Sequence, residues 1–78
     1  MFYSILVEKF NDGSLPSDYY YAYIPALDLT THGLGINGAR EAAIDLINIW
    51  IEEKRANNEP ILIEQEVYYT KVEIKDAV

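Results

Sequence analysis

Between Tyr20 and Trp50 the chain reads YYAYIPALDLTTHG, crosses a glycine break at Gly33 and Gly35, and continues as INGAREAAIDLINIW. Few architectures accept that order. Asp18 to Ile24 is a strand rich in tyrosine, and Pro25 stops it because proline cannot donate to a sheet ladder. Leu29 to His32 is a second short run in which Thr30 and Thr31 favour extended backbone. From Ile36 the period changes from two to 3.6: Ile36, Ala39, Ala43, Leu46, Ile47 and Trp50 recur at spacings of three and four and fall on one stripe of a helix. Asn37, Glu41, Asp45, Asn48, Glu52 and Arg55 lie opposite. On this reading Trp50 belongs to the core.

The flanking segments complete the pattern. Phe2 to Phe10 places Tyr3, Ile5 and Val7 on one face and Ser4 and Glu8 on the other, with Leu6 interrupting the polarity of the second face. Asn11, Asp12, Gly13 and Ser14, followed by Pro16, Ser17 and Asp18, make a loop of turn formers. The helix is expected to end near Asn57 and Asn58, since asparagine tolerates the left-handed cap conformation, with Pro60 as the exit. Ile61 to Ile63 is too short to assign. Val67 to Ile74 alternates Tyr68, Thr70, Val72 and Ile74 with Tyr69, Lys71 and Glu73, a terminal strand that would join a sheet edge. The fold class is α+β: β-β-β-α-β, an antiparallel sheet with one helix packed on one face, in a single domain over residues 1–78.

A chain of 78 residues removes only roughly 60% of its unfolded-state surface from water, so its stability margin is thin. It has no cysteine, which leaves dense packing or association to support a small core. No apolar run approaches the ~20 residues that span a bilayer, and MFYSILVEKF lacks the basic n-region and cleavage pattern of a signal peptide. A cytoplasmic location without membrane attachment is the expectation. The formal net charge of −7 disfavours nucleic acid, whose affinity comes mainly from neutralised phosphates. A basic protein is a better match, although such charge also serves solubility alone.

Two features exceed the needs of one small core. On the helix, Ile44 and Ile51 lie on one shoulder of the apolar stripe and Ala42 and Ile49 on the other; the shoulders either touch strand ends or, at Ile44 and Ile51, form a flank for a second chain. The other feature is tyrosine, seven residues in all. In a strand Tyr19, Tyr21 and Tyr23 share one face, while Tyr20, Ala22 and Ile24 share the face suited to lie under a helix. The strip either stabilises an open sheet face through cross-strand pairs or supplies rigid amphipathic anchors for an interface, flanked by Asp18 and Asp28. Together these features predict a homodimer.

Chemistry is sparse. His32 is the only histidine, and one imidazole without further ligands is a poor metal site. Ser4, Ser14 and Ser17 have no nucleophile-elbow context. Gly33-Leu34-Gly35 before a helix lacks the spacing and lysine of a phosphate loop, and Asp12 with Asp18 lacks calcium-loop spacing. No catalytic, cofactor-binding or metal residue is identified, and an enzyme is not expected.

Taken in order, Tyr20, Ile24-Pro25-Ala26-Leu27, Thr31-His32-Gly33, Glu41, Ala43, Trp50, Glu52 and Glu59-Pro60-Ile61 resemble the N-terminal domain of HicB-family antitoxins over roughly the first 61 residues. The resemblance implies a HicB-like incomplete RNase H fold and a non-catalytic protein-binding domain that neutralises a small basic HicA-type ribonuclease toxin. Many members of that family add a helix-turn-helix or ribbon-helix-helix. This sequence carries neither, so nucleic-acid binding by the chain alone is not implied. The family also contains orphan domains, and an oligomeric interaction module without a toxin is the alternative.

Overall fold

The computed structural model describes residues 1–10 and 13–75. Its elements are β1 (Leu6–Glu8), β2 (Tyr19–Ile24), β3 (Leu29–Leu34) and α1 (Gly35–Ala56). The strands make one antiparallel sheet in the order β1-β2-β3, and α1 covers one of its faces, so the chain is α+β. Among the described residues no helix is long and apolar enough to cross a membrane.

Register decides which side chains meet the helix. Leu6 pairs with Tyr23, Val7 with Ala22 and Glu8 with Tyr21; Tyr20 pairs with Gly33, Ala22 with Thr31 and Ile24 with Leu29. Because side chains alternate along a strand, Val7, Ala22 and Thr31 share the helix side. Ala22, Ile24, Ala39, Ala43 and Ile47 form the buried core, with Tyr3, Ile5, Val7, Tyr20, Leu27, Leu29, Leu46 and Ile51 packed around it. Burying the Ile24 side chain contributes about 1.5–3 kcal/mol. All five core positions come from alternation in β2 and from the 3.6 period of the helix, and both were legible as such.

The core is made of small residues for a geometric reason. A Cβ placed on Gly33 would lie 2.4 Å from the carbonyl carbon and oxygen of Gly38 and 2.6 Å from the Ala39 nitrogen. Strand and helix therefore touch backbone to backbone. Gly33 is inside β3 rather than beyond its end, which corrects the expected stop at His32. Its neighbour Gly35 turns the chain into the helix at φ +68, a region open to glycine at little cost, and its N–H donates to the Asp18 carbonyl at 2.7 Å.

Two turns follow the local chemistry. Pro25 presets the start of the β2–β3 turn: the Leu27 N–H donates to the Ile24 carbonyl at 3.2 Å and the Asp28 N–H to the Pro25 carbonyl at 3.3 Å, with Asp28 left-handed at φ 51. At the end of α1, Asn58 is left-handed at φ 57. The Glu59 N–H reaches the Lys54 carbonyl at 2.8 Å and the Asn58 N–H reaches that of Arg55 at 3.2 Å. These are the paired bonds of a Schellman cap, at the asparagines where the helix was expected to end. Asn11 and Asp12 of the first loop lie outside the described residues.

Three other expectations are corrected. The first strand is Leu6–Glu8 rather than Phe2–Phe10, because only there does it face β2 in ladder register. Ile36 is 58% exposed and Trp50 is half-buried, with the Lys54 ammonium 5.5 Å from its ring centroid. Both follow from length: the 22 residues of α1 run about 33 Å, whereas the six of β2 cover about 20 Å. The helix is longer than the strands it lies on, so not every position of its apolar stripe has a strand beneath it. Finally, Val67–Ile74 is not a strand, and no strand follows α1 among the described residues. Its exposed alternating residues pair with no strand of the described chain, and a strand without a paired neighbour is not stable. What precedes it is anchored to the start of the chain. The Ser4 N–H and hydroxyl donate to the Glu64 carboxylate at 2.6 and 2.7 Å, and the Tyr3 hydroxyl donates to the Leu62 carbonyl.

The close approach at Gly33 gives a paired prediction. Gly33→Ala forces backbone apart and is expected to cost about 1–3 kcal/mol or more in chemical denaturation. Gly38→Ala meets its nearest atom at 3.4 Å and gains up to about 1 kcal/mol of helix propensity, so it should stay within about 1 kcal/mol of the parent. Equal losses at the two positions would mean that the helix stands farther from the sheet.

Candidate protein-binding face

The side of the sheet away from α1 has no covering layer among the described residues. Alternation along β2 puts Tyr19, Tyr21 and Tyr23 there, since Ala22 and Ile24, the residues between and beyond them, are fully buried under the helix. Ladder partners bring neighbours to the strip. Leu6 and Glu8 stand beside Tyr23 and Tyr21 from β1, and Thr30, His32 and Leu34 stand beside Tyr23, Tyr21 and Tyr19 from β3. The expected division of β2 into a helix face and a tyrosine face is what the structure has.

The rings are held in place by local contacts. Phe10 packs on Tyr21 with ring centroids 5.7 Å apart and an interplanar angle of 53°, and Tyr19 lies 6.2 Å from His32 at 52°; both are tilted arrangements that suit ring quadrupoles. Tyr21 and Ser14 hydroxyls are hydrogen-bonded at 2.8 Å. The Tyr23 hydroxyl donates to Asp28 Oδ1 at 2.9 Å. Glu8, Phe10, Tyr21, Tyr23 and Thr30 line a shallow depression of about 360 Å³. Leu34 is 60% exposed at the opposite end. An apolar, aromatic centre thus meets carboxylates at Glu8 and Asp28.

Of the candidate residues, Tyr19, Tyr21 and Tyr23 belong to this face and Asp28 is tied to it through Tyr23; Asp18 is an exposed turn residue just before β2, and among the described residues its carboxylate has no contact that places it here. Ile44 and Ile51 do not. Ile51 packs against the core cluster, and Ile44 lines an open groove of about 450 Å³ on the other side of the sheet, with Tyr3, Ile5, Val7 and Ile47. That groove exists because α1 packs on β3 and β2 and hardly touches β1. Glu8, Phe10, His32 and Leu34 were missed as members of the tyrosine face. Glu8 was visible as the polar side of the first strand, but which strand residues stand beside Tyr21 depends on register.

Among the described residues there is no group of three or more His, Asp or Glu able to hold a metal ion, and no polar side-chain atom is buried without a hydrogen-bond partner. The face offers contact surface and charge rather than reactive groups. Compared with protein-family models, curated proteins and solved structures, the chain matches none of them.

Tyr23 gives this face a spectroscopic handle. Its pKa is raised above the ordinary 10.0, first by the hydrogen bond it donates to Asp28, then by desolvation and by the Asp28 charge. The bond requires the protonated phenol. Its contribution to folding is therefore complete below the ordinary tyrosine pKa and is lost as pH rises through the elevated one. Asp28→Gly removes carboxylate and charge while accepting the left-handed backbone. NMR titration of the Tyr23 ring should then move down to the ordinary range; an unchanged midpoint would mean that Asp28 is not its partner.

Proposed function

We propose that the chain is an antitoxin-like protein-binding domain, and that the tyrosine face of its sheet docks a small basic ribonuclease of the HicA type. The observation that carries this reading is the open aromatic strip Tyr19, Tyr21 and Tyr23 with carboxylates at Glu8 and Asp28 beside it, and Asp18 next to it in sequence. Interfaces that hold have a desolvated centre rich in tyrosine and a polar rim, and a negative rim steers a cationic partner. The net charge of −7 acts in the same direction over longer range. The HicB-like incomplete RNase H fold, suggested by the ordered motifs from Tyr20 to Ile61, is compatible with three antiparallel strands followed by a helix.

The role is inhibition by occlusion. A basic ribonuclease must expose cations to bind RNA, and an acidic face that covers them removes substrate access without chemistry of its own. The second reading is an oligomeric interaction module without a toxin, favoured by the apolar side chains that the segment after α1 leaves exposed, among them Tyr68 and Val72.

Co-expression with a small basic ribonuclease of double-stranded-RNA-binding-like fold, encoded beside this chain, separates the two. Growth should be rescued, and the two proteins should co-purify. Replacing Tyr19, Tyr21 and Tyr23 by serine should weaken the complex by about 2–4 kcal/mol with far-UV circular dichroism retained. Charge reversal at Asp18 should mainly slow association and alter its salt dependence. Absence of rescue, or full binding by the serine variant, contradicts the assignment.

A further inference from the structure

The surface area of the chain is 6296 Å², where a compact monomer of this mass exposes about 4,800 Å². The radius of gyration is 14.9 Å and the long axis 48 Å, against about 11.5 Å for a compact chain of this length. The excess surface of about 1,500 Å² is more than the ~800 Å² that each partner contributes to a standard stable interface. Much of it lies in one segment. Tyr68 is 83% exposed, Val72 73% and Ile74 68%, and these three share one face if the segment is extended, with Tyr69, Lys71 and Glu73 on the other.

On the body of the fold an acceptor is ready. β1 is an edge strand with β2 on one side and no ladder on the other among the described residues. Beside it runs the groove of about 450 Å³ between the helix and Tyr3, Ile5 and Val7. The groove is aliphatic along Ile5, Val7, Ile44 and Ile47, with Arg40 and Asn48 completing its lining; an unpaired edge above such a trough is a template for one more strand. The chain's own segment does not take that place. Glu64 is tied to Ser4, residues 62–67 line a depression together with Pro25 and Ala26, and among the described residues none after α1 pairs with the free edge of β1.

We propose that Val67–Ile74 of one copy adds as a strand to the free edge of β1 in a second copy, and that the exchange is reciprocal. Tyr68, Val72 and Ile74 enter the groove beside Ile5, Val7 and Ile44, and Lys71 falls on the face that carries Glu8. A reciprocal exchange closes as a two-fold dimer. It leaves the tyrosine face free, so it stands independently of the toxin-binding reading.

The test uses the full chain. Sedimentation at micromolar concentration should give twice the monomer mass, and Val72→Asp with Ile74→Ser should weaken dimerisation at least about tenfold with the circular dichroism of the body unchanged. In a dimer of mixed isotope-labelled and unlabelled chains, filtered NOE spectra should connect the Val72 and Ile74 methyls to Ile5, Val7 and Ile44 across the two copies. A monomer throughout that range overturns the proposal. So does a segment folded onto its own β1, seen as NOEs within one chain only, or a dimer that the tail substitutions do not affect.

Discussion

One contact sets the rest of the geometry: the backbone of Gly33 in β3 lies against the backbone of Gly38 in α1, with no room for a Cβ on Gly33. Ala22, Ala39 and Ala43 continue the same seam of small residues, all fully buried. Dispersion falls off steeply with separation, and a helix seated this close gains contacts along its length that bulky residues would prevent. The arrangement also has a direction. Seated over β3 and β2, the helix cannot equally cover β1, and the uncovered strip becomes the groove beside Ile44.

Both candidate interaction surfaces descend from that placement. The helix occupies one face of the sheet, which sends Tyr19, Tyr21 and Tyr23 to the other. Its offset leaves the inner side of β1 half covered and its edge unpaired. Beyond the sheet and α1 no further layer hides such surfaces among the described residues, so exposed apolar area is here a property of the architecture. The surfaces differ in chemistry. The tyrosine face carries carboxylates and fits a cationic partner, while the β1 groove, aliphatic apart from Arg40 and Asn48, lies beside an unpaired strand edge and fits a strand.

Local periodicity made much of this legible. Alternation over Tyr19–Ile24 gave both faces of the central strand, and Asn58 and Pro60 marked the end of the helix through properties that belong to single residues. Properties that depend on distance between elements were not legible. Gly33 reads as a breaker in a one-dimensional sequence and becomes a packing residue only when Gly38 is opposite it. Trp50 and Ile36 lie on the correct stripe, yet half-buried and exposed respectively, because burial depends on where the sheet stops beneath the helix. Val67–Ile74 has strand periodicity without a strand, since a strand requires that the segment be brought alongside an edge and periodicity carries no information about where the chain runs. For the tyrosine strip, the sequence supplied the central residues and register supplied their neighbours Glu8, His32 and Leu34.

The most direct test of this account is the distance between the two glycines in solution. With the helix seated as described, NOE spectra of the full chain should connect the α-protons of Gly33 to those of Gly38 and to the amide proton of Ala39, with intensities like those across the β2–β3 ladder. If the ladder cross-peaks are present and the glycine cross-peaks are absent, the helix does not rest on β3 through this seam, and the placement of both surfaces falls with it.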